Sequence, residues 1–295
     1  MENAHSLLKR VRRIEITTRR LVDQLMGGEY RSAFRGRGME FTDLRTYQEG
    51  DDPRTIEWNV TARTGVPHVK LMTEERELQV LILLDVSGSL KFGSTSLTKE
   101  ERVVETAALL ALAAVRTGDR IGMLSFARDV VDYIPPDKGR NHALTIVHKV
   151  LATRGRQEEA DIDKALAFLG RVLHRKALLF VISDFRFGRP SKLLSAASRR
   201  HDLVGIHVFD PREVNMPDVG LMRFQDPETG RALVVDTGSR AWRKAFSSMV
   251  MQMNAQREAL SRTCGFDLVS ISTSDDLVLP LRRFFQLRRR RRSHL

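Results

Sequence analysis

The sequence predicts an α/β protein, a doubly wound and mostly parallel sheet with helices on both faces, preceded by a small N-terminal helix and β-strand subdomain. Three observations predict it. After Glu74-Glu75-Arg76, short apolar runs alternate with segments of helical periodicity, the pattern of strands buried on both faces by crossover helices. At 295 residues and 42% hydrophobic content the chain is long enough for one large core and an appendage. Before Glu74 the texture differs: a basic amphipathic stretch gives way to short extended segments broken by Gly, Asp and Pro.

Each element follows from its local pattern. Between Ala4 and Leu25, the apolar residues Leu7, Leu8, Val11, Ile14, Leu21, Val22 and Leu25 recur mostly at three- and four-residue steps, which predicts an amphipathic helix stopped by Gly27-Gly28. A basic loop, Arg31 to Arg37, follows. Met39 to Tyr47, Thr55 to Thr61 and His68 to Met72 read as short strands. In the main body, strands are expected at Gln79 to Leu84, Arg120 to Phe126, Ala177 to Ile182, Leu203 to Phe209 and Asp267 to Ser270. Helices are expected at Lys99 to Arg116, Arg140 to Ala152, Asp161 to Leu173, Pro190 to Arg200 and Ser239 to Thr263. Leu221 to Gln225 and Ala232 to Asp236 flank Pro227-Glu228-Thr229-Gly230 and predict a hairpin insertion. The domains are therefore expected at 1–75, 76–280 and 281–295, the last an Arg-rich tail.

The formal net charge is +12, but seven arginines and no acids lie between Arg282 and Arg292, so more than half of that charge is terminal. Arg288, Arg289, Arg290, Arg291 and Arg292 are candidates for contact with phosphates of nucleic acid or of an anionic membrane surface through counterion release. The competing reading is a solvated end, and the lack of base-stacking aromatics or a nucleic-acid module favours it. The longest apolar stretches, Val80 to Leu84 and Ala107 to Val115, fall far short of the roughly 20 residues that cross a bilayer. The N-terminus lacks the continuous apolar core of a secretory signal, so a cytoplasmic location is expected. Cys264 is the single cysteine and is expected to be a small buried apolar residue. No histidine pair has zinc-ligand spacing.

The run Leu81-Ile82-Leu83-Leu84 leads directly into Asp85-Val86-Ser87-Gly88-Ser89 at the carboxyl edge of the expected sheet, where open α/β sheets bind ligands. One carboxylate and two hydroxyls at two-residue steps on a tight loop suit a hard cation such as Mg²⁺, which takes small oxygen ligands and keeps waters. Leu178 to Ile182 leads equivalently into Ser183-Asp184, bringing a second carboxylate to the same edge. The plainer alternative is that Asp85, Ser87 and Ser89 turn the chain and cap a helix. Covalent phosphoryl chemistry is disfavoured because Ser87 stands where such sites carry a second Asp, and no Gly-x-x-x-x-Gly-Lys loop is present to hold a nucleotide.

Asp85-x-Ser87-x-Ser89 with Ser183-Asp184 resembles the metal-ion-dependent adhesion site of von Willebrand factor A domains. A longer signature, Gly38-Met39-Glu40-Phe41-Thr42-Asp43-Leu44-Arg45-x-Tyr47-x-x-Gly50-Asp51-Asp52-x-Arg54-x-Ile56-x-Trp58-x-x-x-Ala62-Arg63, resembles the bacterial domain of unknown function 58 family. That resemblance spans about Gly28 to Leu279. It implies a von Willebrand factor A-like fold and a Mg²⁺ or similar divalent cation held by Asp85, Ser87, Ser89 and Asp184. It also implies a partnership with MoxR-type AAA+ ATPases and a client protein. In the family a threonine from a second loop completes the site; here that position is Ala160, and Asp161 or a water is the candidate replacement. Arg45, Asp51, Asp52, Arg54 and Trp58 read as salt-bridged turns, with Trp58 anchoring the small subdomain.

The function these features predict is a non-enzymatic, metal-dependent protein-interaction adaptor. The alternative is a nucleic-acid or anionic-membrane-surface binder acting through the arginine tail. A metal-dependent hydrolase is least favoured, since no general base or nucleophile pair is visible.

Overall fold

A computed structural model of the chain describes residues 39–74, 78–153, 155–187, 191–226 and 230–293, together with Val22. The helix expected between Ala4 and Leu25 and the basic loop after it lie, Val22 apart, outside the described residues. The chain divides into two compact units, Arg35–Leu78 and the rest.

In the smaller unit β1 (Met39–Thr46) pairs antiparallel with β2 (His68–Glu74), with a register shift between Phe41 and Asp43. The third expected strand, Thr55 to Thr61, is instead a 3₁₀ turn at Pro53–Thr55 followed by helix α1 (Trp58–Thr64). Capping overrides the β-branched residues there. Asp52 accepts from the Arg54 N–H, Glu57 accepts from the Asn59 N–H, and Gly65 at φ 71° closes the helix in the left-handed region. Arg45 clamps Asp51 with two hydrogen bonds of 2.7 and 2.6 Å, and Gly50, at φ 105°, permits the turn between them. That pairing and a backbone N–H from Gln48 hold the Asp51 carboxyl below its usual range. Trp58 is 68% exposed, so it does not serve as the buried anchor expected of it.

In the larger unit six strands form one sheet in the order β10-β7-β6-β3-β4-β5. These are β3 (Gln79–Asp85), β4 (Arg120–Phe126), β5 (Val130–Asp137), β6 (Leu178–Ser183), β7 (Asp202–Phe209) and β10 (Asp267–Ser272). All neighbours are parallel except the β4–β5 pair. The five expected strands are present, and the doubly wound architecture is the one predicted. The antiparallel edge strand β5 was not expected, because Pro135-Pro136 argues against a strand; an edge tolerates the missing N–H groups. The expected hairpin is β8 (Leu221–Gln225) and β9 (Ala232–Asp236).

Side chains alternate across the sheet, so β3 sends Leu81 and Leu83 to one face and Val80, Ile82 and Leu84 to the other, all buried. Leu81 and Leu83 belong to one buried cluster with Ile162, Leu166 and Leu169 of helix α4 (Ile162–Val172), Leu194 of α5 (Lys192–Arg200) and Leu260 of α7 (Arg240–Cys264). Cys264 is buried in the same cluster, as expected. Helices α2 (Lys99–Thr117) and α3 (Arg140–Ala152) pack on each other, and the run Ala107 to Ala114 of α2 is largely buried. A short helix, α6 (Pro211–Val214), follows β7.

The boundary expected at residue 281 falls inside helix α8 (Val278–Ser293). Leu281 and Phe285, one helical turn apart, are fully buried. Asp276 caps the helix by accepting from the N–H groups of Val278 and Leu279. Arg288 pairs with Asp202 and Asp267, Arg291 lies 3.7 Å from Asp267, and Arg289, Arg290 and Arg291 are exposed along the helix. The first turns of the stretch read as a tail, Leu281 to Arg288, are thus part of the packed body, their apolar positions obscured by the arginines around them. No helix among the described residues is long and apolar enough to cross a membrane.

Candidate metal site at the carboxyl edge of the sheet

Strand β3 lies between β6 and β4, so Asp85 emerges near the middle of the carboxyl edge. The chain turns at once into a 3₁₀ segment, Gly88–Lys91, and Asp85, Ser87 and Ser89 are all buried. The Ser87 N–H donates to Asp85 Oδ1 at 2.8 Å, and the Ser183 hydroxyl donates to Asp85 Oδ2 at 2.5 Å. Ser87 Oγ and Ser89 Oγ lie 3.1 Å apart. A second loop docks on this one through its backbone: the Gly88 N–H donates to Glu158 O and the Arg156 N–H to Val86 O.

Strand β6 supplies Ser183-Asp184, and the chain then passes through Phe185 at φ 55°, the single non-glycine residue at positive φ among those described. For a bulky side chain this conformation is costly and persists only where the surroundings enforce it. Phe185 is buried against Phe266 with ring centroids 6.2 Å apart, and its N–H donates to Ser183 Oγ. Packing and hydrogen bonding therefore fix the turn that carries Asp184.

The two carboxylates differ in company. Asp184 Oδ2 receives the Lys99 ammonium at 3.0 Å and Arg186 Nε at 3.1 Å; the same Lys99 reaches Glu213 Oε1 at 2.7 Å and Arg186 Nη2 reaches it at 2.8 Å. The Lys99 side chain is fully buried. Burial works to raise the Asp184 carboxyl, but the charges of Lys99 and Arg186 outweigh it and hold the group below its usual range. Asp85 has hydroxyl and backbone N–H partners only, and among the described residues no ammonium or guanidinium pairs with it. Burial, with the Asp184 charge adding to it, pushes its carboxyl up to about 7.

Sequence reasoning missed Lys99. Its signal was a lysine at the first position of a helix, where the macrodipole disfavours a cation and acids are the rule. It also missed Asp210, a fully buried carboxylate after β7 that accepts from the Ser94 N–H and the Thr273 hydroxyl and so ties three segments together. Asp161 spends Oδ1 on the N–H groups of Asp163 and Lys164, capping α4, and Ala160 packs partly buried against the core. Asp85, Ser87, Ser89 and Asp184 are brought together, and Asp161 serves its helix.

The donor chemistry fits a hard cation on the Asp85 side. A carboxylate with no cationic partner and two neighbouring hydroxyl oxygens form an all-oxygen set that Mg²⁺ accepts with waters retained. The Asp184 side is already supplied with positive charge and would contribute from outside the ligand shell. Among the described residues no group of three or more His, Cys, Asp or Glu converges as a metal cluster, so hydroxyls are essential to any such site.

The family model described as "Protein of unknown function DUF58" matches residues 43–257, which include the Asp85 loop and Asp184. The chain belongs to this family. A relative, "Uncharacterized protein Rv1480" of Mycobacterium tuberculosis H37Rv, is 33% identical over 289 residues, covering 95% of this chain and 89% of that protein. Solved structures similar to this DUF58 chain include BatB from Bacteroides thetaiotaomicron, 15% identical with a TM-score of 0.48 over 72% of this chain and 99% of that one. The SpRpn10 VWA domain is similar as well, 14% identical with a TM-score of 0.42 over 70% and 93%. Of the DUF58 signature residues, Glu40 and Phe41 lie on β1, opposite Thr73 and Met72. Arg45, Gly50 and Asp51 build the clamped turn; Asp52 caps the 3₁₀ segment; and Arg54, Trp58 and Arg63 are exposed. Tyr47 is half-buried, its N–H donating to Pro67 O.

Proposed function

We propose that this DUF58 chain is a non-enzymatic, metal-dependent interaction adaptor that works with a MoxR-type AAA+ ATPase in the assembly or activation of a client complex. The observation that carries this reading is Asp85, a carboxylate held out of water by hydroxyls and a backbone N–H, without a counter-cation, at the edge where such sheets take ligands. Asp85, Ser87 and Ser89 would hold the cation. Bound there, it supplies positive charge able to accept a carboxylate oxygen from a partner. Family membership and the resemblance noted above support the ATPase as that partner. A role without catalysis is supported by His207, which lines the groove at this edge: burial above all, then the Arg257 charge, pushes it down to about 3, which makes it too weak a base for general-base work near neutral pH.

The test is co-purification of the tagged chain with a MoxR-type ATPase from the same organism, in millimolar Mg²⁺ and in chelator. Capture is expected to fall about tenfold or more in chelator and with Asp85→Asn, as for loss of a charge-assisted contact. Equal capture under all three conditions would remove the metal bridge.

A further inference from the structure

The carboxyl edge of the sheet opens into a groove of about 720 Å³ that reaches Ser89 and Asp184 at one end. Helix α7 forms one wall with Phe246, Met249, Val250 and Met253, and the β8–β9 hairpin forms the other with Phe224 and Leu233. Trp242 stacks between Phe224 and Phe246, with centroid distances of 6.4 and 5.3 Å, and so joins hairpin to helix. Leu233 is 65% exposed and Met249 49%. Methionine and aromatic side chains facing water across a concave wall form an adaptable apolar surface of the kind that receives protein segments. The hairpin also exposes Leu221 and Val234, whose cross-strand partners place them on its other face. Inside the groove, apolar side chains from both walls stand beside guanidinium and carboxylate groups, a mixed lining that suits a polypeptide segment carrying both apolar and charged side chains.

The charge of the groove has a definite sign. Four arginines, Arg186, Arg212, Arg231 and Arg257, stand among its lining residues against the three carboxylates of Asp184, Glu213 and Asp226. Buried Lys99 adds a further positive charge next to Asp184. Arg186 is engaged with Asp184 and Glu213. Arg257 donates to the Asp184 backbone carbonyl at 3.4 Å and to the Asn254 side chain, and among the described residues no carboxylate makes an ion-pair contact with the guanidinium of either Arg257 or Arg212. Arg257 is half-buried on the wall of the groove, in the field of Asp184 and Glu213 but in ion-pair contact with neither, and a guanidinium partly out of water with no direct carboxylate contact has donors left for an anion.

We propose that this groove docks an apolar, acid-bearing segment of a partner protein, its carboxylate pairing with Arg257 and Arg212 and its apolar side chains seated against Phe224, Leu233, Phe246 and Met249. The proposal rests on the reading of the chain as a protein-binding module, but not on its metal. The groove supplies area and a fixed guanidinium, whereas the Asp85 loop supplies a cation-dependent contact at one end.

The test is selection of displayed random peptides of about twelve residues against the full chain in chelator, followed by resynthesis of the binders. The expected binders carry at least two large apolar residues and an Asp or Glu. Replacing that acid by its amide is expected to weaken binding about tenfold against the native chain and less than about twofold against Arg257→Gln. Met249→Asp, at an exposed position that leaves the core intact, is expected to abolish binding of either peptide. Binders without an acid preference, binders indifferent to Met249→Asp, or no binders alongside displacement of a hydrophobic dye by oleate would each overturn the proposal. Retained peptide binding in chelator together with chelator-independent ATPase capture would leave the groove standing and remove the metal bridge. The reverse pattern, with capture lost in chelator and Arg257→Gln without effect, would do the opposite.

Discussion

Asp85 and Asp184 end neighbouring parallel strands, both are buried, and they are in opposite electrostatic states. Asp184 is surrounded by Lys99 and Arg186 and stays ionised, while Asp85 is surrounded by hydroxyls and has its carboxyl pushed up to about 7. Residue type and position in the fold do not distinguish them. The difference is set by which side chains reach each one from other elements, and it identifies the half of the site that has a charge still to be met. The Asp184 half is an internal ion-pair cluster of two acids and two bases; the Asp85 half is an oxygen cage.

Removing the compensating charge should break the contrast most severely. Lys99→Met leaves Asp184 buried without its ammonium, and breaking a buried pair from one side costs about 3–5 kcal/mol. Denaturant unfolding should show that loss, and the double variant Lys99→Met/Asp184→Asn should recover much of it. The next effect is on Asp85. Its folded-state pKa lies above the ordinary value of 3.8, so the folded chain binds more protons than the unfolded chain between there and about 7. The group's contribution is therefore full at low pH, and stability falls as pH rises through that window. Without divalent cation at pH 8, Asp85→Asn should stabilise the fold by on the order of 2–4 kcal/mol, and the gain should vanish near pH 4. Thermal melts across pH would read both. Arg186 is half exposed, and Arg186→Gln should cost under about 1 kcal/mol while Lys99 remains in place.

How much of this was legible depends on how local the signal is. The strands β3, β4, β6, β7 and β10 are continuous apolar runs, and the two strand-end carboxylates could be placed from those runs alone. Strand β5 was hidden by Pro135-Pro136, and helix α8 by arginines flanking the Leu281 and Phe285 turn. In the small unit β-branched residues suggested a strand between Thr55 and Thr61, but the Glu57 cap and Gly65 made a helix. Lys99 was out of reach for a different reason: its partners Asp184 and Glu213 lie 85 and 114 residues away along the chain, and nothing in the local pattern announces the pairing. The carboxylates of the site follow from strand ends, while their charge states follow from tertiary contacts.

The most direct measurement is a Mg²⁺ titration of thermal stability at pH 8, comparing the native chain with Asp85→Asn. The Tm of the native chain is expected to climb with Mg²⁺, since a ligand of the folded state stabilises by mass action, and that of Asp85→Asn to stay flat. A native Tm that ignores Mg²⁺, or an equal climb in the variant, would contradict a metal site at Asp85.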